Sequence, residues 1–378
     1  MQFRDLKTQY QTLKPEIDAG IQAVIESSAF ILGKPIVELE NRLAEYVGRK
    51  HCVACANGTD ALQLSLMAWG IGPGDAVFVP DFTFFATAGS ASILGATPVP
   101  VDIELATFNM STRALEEQIQ RVLSEGKLVP RVAVPVDLFG QPADYDQILP
   151  VAEKYELKVL EDGAQGFGGS IRGTMACSFG DLSTTSFFPA KPLGCYGDGG
   201  AIFTDDEGMD IRLRSLRAQG KSPEDKYDNR EIGMNSRLDT IQAAVLLPKL
   251  KAFAEYELEA VNRVAGWYTE RLKDRFVTPT VLDGFCSSWA QYTILLESRE
   301  VRDTVQKRLK EQGIPSMVYY PRGIHQQEAY RGMNLPDEWY PNTLEAASRV
   351  LSLPMHPYLR EADVDIVIKA LLERGRNS

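Results

Sequence analysis

The chain has 378 residues, enough for a large core and two domains of unequal size. Hydrophobic residues are 44%, charged residues 24% and the formal net charge is −11, which places the chain among globular proteins. That charge argues against nonspecific binding to nucleic acid or to an anionic membrane, and still allows a local basic pocket for an anionic substrate.

The opening stretch MQFRDLKTQYQTLKPEI lacks the apolar core of a secretory signal, and no apolar run reaches the length of a membrane span. Five cysteines without regular spacing make no disulfide framework. A cytoplasmic chain with reduced thiols is therefore expected.

Residues 8–27 read as a helix, with Leu13, Ile17, Ile21 and Val24 near helical spacing. A break at Gly33 and Pro35 precedes a second amphipathic helix over 36–47, closed by Gly48. A short strand follows near His51, then a turn at Asn57-Gly58 and a helix over 59–69. A glycine turn feeding a helix start presents free N–H groups to an anion, although an ordinary cap by Thr59 or Asp60 reads equally well. Cys52 and Cys55 sit three apart on that strand and so face opposite ways, which makes them structural thiols rather than a metal pair.

Alternation then sets in. Strands are expected over 76–79, 97–101, 131–136 and 158–161, and helices over 83–94, 112–124 and 145–155. Such alternation implies a mostly parallel α/β sheet with helices on both faces. Ligands of these sheets lie beyond the carboxyl ends of the strands, where Asp162 and the loop 80–84 fall.

A strand near 181–188 leads into SFFPAKPLGCYGDGG, residues 186–200. Here Lys191 follows Phe187, Phe188 and Pro189 and precedes Gly194, Gly197, Gly199 and Gly200. An apolar surround disfavours the ammonium, so this lysine is expected to be available as a neutral amine that attacks carbonyls. A strand over 201–204 and a helix over 205–217 come next, with Arg212, Arg214 and Arg217 read as a solvated face. The polar stretch 219–229 reads as a mobile loop.

A helix is expected through Leu250 and a long one over 251–273, with a domain boundary between them, giving a large domain 1–250 and a smaller α+β domain 251–378. Strands near 278–282, 291–296 and 315–319 and helices over 300–312, 343–351 and 361–373 fill the second domain.

No G-x-G-x-x-G follows a strand, no G-x-S-x-G elbow occurs, and there is no H-E-x-x-H. With only His51, His325 and His356, a zinc site is not expected. His356 reads as structural, while His325 stays open. What remains is a phosphate-suited turn at Gly58-Thr59, an acid at a strand end and a dried lysine. Pyridoxal 5'-phosphate asks for all three: a cradle for its phosphate, an acid on its pyridine nitrogen and a lysine for its aldehyde.

Six stretches in order carry a resemblance: CANGTDALQL (55–64), PDFTFFAT (80–87), EDGAQGFGGS (161–170), SFFPAKPLGCYGDGG (186–200), GMNSRLDTIQAA (233–244) and LSLPMHPYL (351–359). The chain resembles the DegT-type nucleotide-sugar aminotransferases of PLP fold type I nearly end to end. That resemblance implies a mostly parallel seven-stranded sheet and these roles. Lys191 binds the cofactor and shuttles protons, Asp162 holds the pyridine nitrogen and Gln165 lies near the ring hydroxyl. Gly58, Thr59, Asp60 and Ser186 hold the phosphate, and Phe84 covers the ring. Asn235 reaches the cofactor of a neighbouring subunit, which implies a homodimer with shared sites. Arg237, Tyr320 and His325 face the sugar nucleotide.

Within the family the likeness is to enzymes that aminate C3 of UDP-2-acetamido-3-keto-glucuronic acid with L-glutamate, in bacterial surface polysaccharide synthesis. The run Tyr319-Tyr320-Pro321 departs from the His-Tyr-Pro usual in that branch, which keeps UDP-3-keto-GlcNAc and 4-keto sugars open. Sugar dehydratases of the same fold replace the lysine by histidine, so Lys191 favours transamination. A non-catalytic binding or regulatory protein of this fold is the remaining alternative, and the joint presence of Lys191, Asp162 and Gln165 speaks against it.

Overall fold

The structure, a computed structural model, describes residues 1–222, 224–225 and 227–373. Residues 223 and 226 of the expected loop 219–229, and 374–378 of the expected second domain, lie outside the described residues.

The chain opens with α1 (Leu6–Ser27) and α2 (Lys34–Val47). Asp5 caps α1 by accepting the Thr8 N–H at 2.9 Å, and Leu13 and Ile17 pack on Val245 and Ala252 of a later helix. The alternation follows as β1 (His51–Cys55), α3 (Gly58–Ala68), β2 (Asp75–Pro80), α4 (Phe85–Ile93), β3 (Thr97–Val101), α5 (Thr112–Glu125), β4 (Val129–Ala133), α6 (Tyr145–Lys154) and β5 (Lys158–Asp162). A two-residue hairpin, β6 (Ser170–Ile171) and β7 (Thr174–Met175), precedes β8 (Leu182–Ser186), β9 (Gly200–Thr204) and α7 (Glu207–Leu216).

Seven of these strands form one sheet in the order β1-β9-β8-β5-β4-β2-β3. All neighbours are parallel except β9, which runs antiparallel to both β1 and β8. The reason lies in the connection. A parallel return needs a crossover, usually a helix, and the Pro- and Gly-rich segment between β8 and β9 forms none. Strands β1, β2, β3, β4, β5 and β8 therefore end on one edge of the sheet, and β9 begins there. Cys52 and Cys55 are both buried and join different core clusters, on opposite faces of β1.

After α8 (Thr240–Ala252) the chain passes through a π turn, Phe253–Glu257, into α9 (Leu258–Leu272). The expected single helix 251–273 is thus interrupted at its start. β10 (Phe285–Cys286) pairs with β6, and β11 (Tyr292–Leu295) is followed by α10 (Arg299–Glu311). α11 (Pro341–Arg349), β12 (Val350–Leu353) and α12 (Glu361–Leu372) complete the chain. β11 and β12 pair antiparallel, and their side chains join Val264, Tyr268, Leu309 and Val367 in a second core.

Three expectations fail here. Residues 278–282 form no strand; only Val277 bridges Leu295, because Pro279 has no donor for a ladder. Residues 315–319 supply a single bridge, Met317 to Ser352. The helix expected over 343–351 stops at Arg349, and β12 follows, drawn into pairing by β11.

Of the three arginines 212, 214 and 217, Arg212 is exposed as expected, whereas Arg214 and Arg217 differ from the solvated face. Arg217 is buried and donates to Glu40 Oε1 at 2.7 Å and to the Ala54 carbonyl at 2.6 Å. Arg214 donates to Glu40 Oε2 at 2.7 Å and to the Cys52 carbonyl at 2.9 Å, while Glu40 also accepts the Ala54 N–H at 2.9 Å. These ion pairs clamp edge strand β1 between α2 and α7. Removing one partner of a buried pair leaves the other charge dry and unpaired. Glu40→Ala is therefore expected to lower stability by about 3–5 kcal/mol, read from urea unfolding, and Glu40→Ala with Arg217→Leu by less.

Candidate active site

The site is assembled at the sheet edge where β1, β2, β5 and β8 end. β1 feeds Asn57, which caps α3 by accepting the Asp60 N–H at 2.8 Å. The Asp60 amide, expected to face the phosphate, is thus engaged by the cap. The first-turn N–H groups of Gly58 and Thr59 have no intrahelical partners and are the donors the helix start presents.

Gly58 itself is dictated by space. A Cβ there would lie 2.7 Å from Ser186 Cβ, at the end of β8. One at Gly200 would lie 2.5 Å from the Asn57 carbonyl. The two glycines let three chain segments converge on one small cradle. Ser186 Oγ lies at its wall and accepts the Phe188 N–H at 3.3 Å.

Asp162 ends β5 and is buried. Its Oδ2 accepts from Thr87 Oγ1 at 2.9 Å and its Oδ1 from the Ala164 N–H at 3.2 Å. Burial raises its pKa, while Thr87, the charge of Lys191 and the Ala164 amide pull it down. Lys191 experiences the converse: burial lowers its pKa and Asp162 opposes the change. The two groups thus sense each other at one site.

The residues that flank Lys191 do not form one apolar surround. Phe187 turns inward and is buried with Leu193 and Cys195, whereas Phe188 turns outward, 52% exposed.

Phe84 stands at the N-cap of α4, 57% exposed, with its ring centroid 6.5 Å from that of Tyr320. Tyr320 also packs on Phe82 and accepts a hydrogen bond from Gln165 Nε2 at 3.1 Å, and Gln165 Oε1 accepts the Phe139 N–H at 2.9 Å. Tyr320 and Gln165 are 155 residues apart, and nothing in the sequence pairs them. For Thr87 the sequence offers one signal, its place inside PDFTFFAT one helical turn beyond Phe84.

Arg237 is half-buried and Asn235 exposed, on the segment before α8. That segment is fixed next to the cradle, because Ser236 Oγ accepts the Ala56 N–H at 3.1 Å.

His325 departs from the expectation of a sugar-facing side chain. Its ring is buried against Tyr340, with Nδ1 2.6 Å from Asp81 Oδ2 and Nε2 2.9 Å from Asp337 Oδ1. Both nitrogens are occupied, and the flanking carboxylates raise its pKa against the lowering by burial. Asp81, although at a strand end, docks the C-terminal region on the sheet. Asp102 does the same after β3 by accepting the Thr343 N–H at 2.9 Å. His356 is buried, as a structural histidine should be.

A buried carboxylate beside a lysine of lowered pKa calls for a ligand that is cationic toward the one and carbonyl-bearing toward the other. The glycine-lined helix start adds a place for a phosphate. A pyridine aldehyde phosphate meets every one of these demands. The fold and site together define a pyridoxal-phosphate-dependent transferase of fold type I. The sequence model of the DegT/DnrJ/EryC1/StrS aminotransferase family matches residues 11–372, and the chain belongs to that family.

Among its relatives is the UDP-2-acetamido-2-deoxy-3-oxo-D-glucuronate aminotransferase of Pseudomonas aeruginosa. It is 45% identical over 374 residues, covering 98% of this chain and 99% of that one. A crystal structure of a DegT/DnrJ/EryC1/StrS aminotransferase from Brucella abortus superposes with a TM-score of 0.95, at 48% identity and 98% coverage of both chains. NtdA from Bacillus subtilis, solved with its cofactor PMP bound, matches with a TM-score of 0.83 at 29% identity, covering 94% of this chain and 80% of that one. No described helix is long and apolar enough to cross a membrane.

Proposed function

We propose that the chain exchanges the amino group of L-glutamate for the C3 keto oxygen of UDP-2-acetamido-3-keto-glucuronic acid. The products are 2-oxoglutarate and the 3-amino sugar nucleotide. The observation that carries the transfer chemistry is the placement of buried Asp162, bonded by Thr87 Oγ1 at 2.9 Å, at the end of β5, beside β8, whose end leads into the turn that bears Lys191. The full-length likeness to the Pseudomonas enzyme supports the choice of sugar. We place the reaction in the cytoplasm, in the supply of amino sugars for a bacterial surface polysaccharide.

Bound at this edge, pyridoxal phosphate would supply an electron sink that stabilises negative charge on the reacting carbon. The chain's own residues do the rest. Lys191 Nζ, its pKa lowered by desolvation, takes the proton from the donor's α-carbon and delivers one to C3 of the sugar. Asp162, oriented by Thr87 and the Ala164 amide, would hold the ring nitrogen. Gly58 and Thr59 amides and the Ser186 hydroxyl would hold the phosphate. Phe84 would cover the ring, and Gln165 positions Tyr320 by the bond between them. Arg237 and Tyr320 contact the sugar nucleotide.

A homodimer would bring Asn235 of one copy to the cradle of the other. Ile232, 89% exposed close by, supports an interface there. Residues 251–378 are read as a smaller second domain, and the core around Tyr268, Tyr292 and Leu351 supports that division.

Incubation with glutamate and a panel of UDP-linked 3-keto and 4-keto sugars, read by mass spectrometry, tests the proposal. The aminated 3-keto-glucuronate is expected as the dominant product. Preference for UDP-3-keto-GlcNAc or for a 4-keto sugar would overturn the choice of sugar. Inactivity on the whole panel would overturn the sugar class.

A further inference from the structure

The carbonyl side of the Lys191 turn is gripped by two cations that the proposed chemistry does not use. Arg4 lies in the short segment ahead of α1, and its Nη2 donates to the carbonyls of Lys191 and Pro192, both at 3.1 Å. Lys249, on α8, is buried, and its Nζ donates to the Gly194 carbonyl while lying 5.0 Å from the centroid of the Tyr196 ring. Three carbonyls within four residues of the turn are thereby held by charged donors from two distant parts of the chain.

The turn is already closed on itself. Lys191 N–H donates to the Phe188 carbonyl at 2.9 Å and Cys195 N–H to the Phe187 carbonyl at 2.8 Å. A Cβ at Gly194 would meet the Pro189 carbonyl at 2.5 Å. The cations add orientation to a turn whose shape is otherwise complete.

Lys249 is buried and Arg4 half-buried, so both carry a desolvation cost and need a counter-charge. The counter-charge is Glu257, buried at the π turn that leads into α9, whose charge acts on both. Gln9 Nε2 bonds its two oxygens at 2.9 and 3.0 Å, and Tyr358 OH bonds Oε1 at 2.6 Å. Arg4 is tied to the C-terminal region too, since the neighbouring Phe3 carbonyl accepts the Met355 N–H at 3.1 Å. The network therefore joins α1, α8, the π turn and the C-terminal region to the one turn that bears the reactive lysine.

We propose that Arg4 and Lys249 are positioning residues for Lys191, holding its turn by the backbone carbonyls with Glu257 as their shared counter-charge. The proposal rests on the reading of Lys191 as the reactive amine. Charge-assisted hydrogen bonds are the strong ones, and a lysine that moves protons between two carbons tolerates little displacement.

Hydrogen exchange on the full-length protein tests it, with Arg4→Ala and Lys249→Met compared with wild type. Exchange of the Lys191 and Cys195 amides should rise about tenfold, with peptides from β2 and β4 unchanged. The kcat of amino transfer should fall about tenfold with little change in KM for the sugar, and Arg4→Lys should recover part of it. Should Arg4→Ala not fold, the same comparison is read on Arg4→Gln.

Unchanged exchange at residues 186–200 would overturn the proposal. So would protection lost evenly over the whole sheet, which would make the two cations general supports of the fold. Faster local exchange with an unaltered kcat would overturn it as well. The exchange arm needs no turnover. A wild-type protein that binds no cofactor would sink the reading of Lys191, and the exchange pattern would still decide the brace.

Discussion

Lys191→Ala should abolish amino transfer, lowering turnover by about 10⁴-fold or more, because it removes both the nucleophile and the proton carrier. The amine sits in a turn whose residues Phe187, Leu193 and Cys195 are buried, and desolvation of the amine itself lowers its pKa. The lowered pKa favours the neutral amine relative to a solvated lysine. Lys191→Arg should be as inactive as the alanine variant, since a guanidinium keeps its proton. Borohydride should trap the cofactor covalently on wild type and on neither variant, as read by intact-protein mass. A Lys191→Ala protein with normal turnover would refute the assignment. Thermal melting of the variants separates lost chemistry from lost fold.

Asp162→Ala should cost roughly 10²–10³ in turnover, the scale of one preorganised charge contact in a dry site. Burial alone would favour the protonated acid, and its pKa is indeed raised. Thr87 Oγ1 at 2.9 Å and the Ala164 amide at 3.2 Å work in the other direction by bonding the carboxylate. A cationic ring nitrogen adds the remaining stabilisation of the charged form. Asp162→Asn keeps the size and loses the charge, so it should be nearly as slow as alanine, while cofactor still binds through the Gly58–Ser186 cradle. Steady-state kinetics together with the visible absorbance of the bound cofactor read both effects. Near-normal kcat in either variant would remove Asp162 from its role.

Asp162, Gly58 and Lys191 stand out in the sequence because each belongs to a local pattern. Asp162 closes a strand, Gly58 sits between a strand and a helix start, and Lys191 lies in a glycine-rich turn. Local patterns also misled. Phe188 looks like part of the apolar surround of Lys191 yet faces outward, and Arg214 and Arg217 look like a solvated helix face yet grip Glu40. In both cases the side chain's surroundings come from segments far away in the chain. His325 shows the same limit: its partners, Asp81 and Asp337, lie 244 and 12 residues away and occupy both ring nitrogens.

What this sequence determines by itself is periodic or local: the strand–helix alternation, the acid at the end of β5, the glycines where backbones crowd, and the turn around Lys191. These follow from short-range sterics and from the burial of one face per element, both written in neighbouring residues. Only the tertiary structure decides that β9 runs against its neighbours, that β12 is a strand, that Tyr320 meets Gln165, and that Arg4 and Lys249 reach the carbonyls beside Lys191. Those contacts join residues dozens to hundreds of positions apart. Their energy depends on which surfaces the packed core brings together, and no window along the chain contains that information.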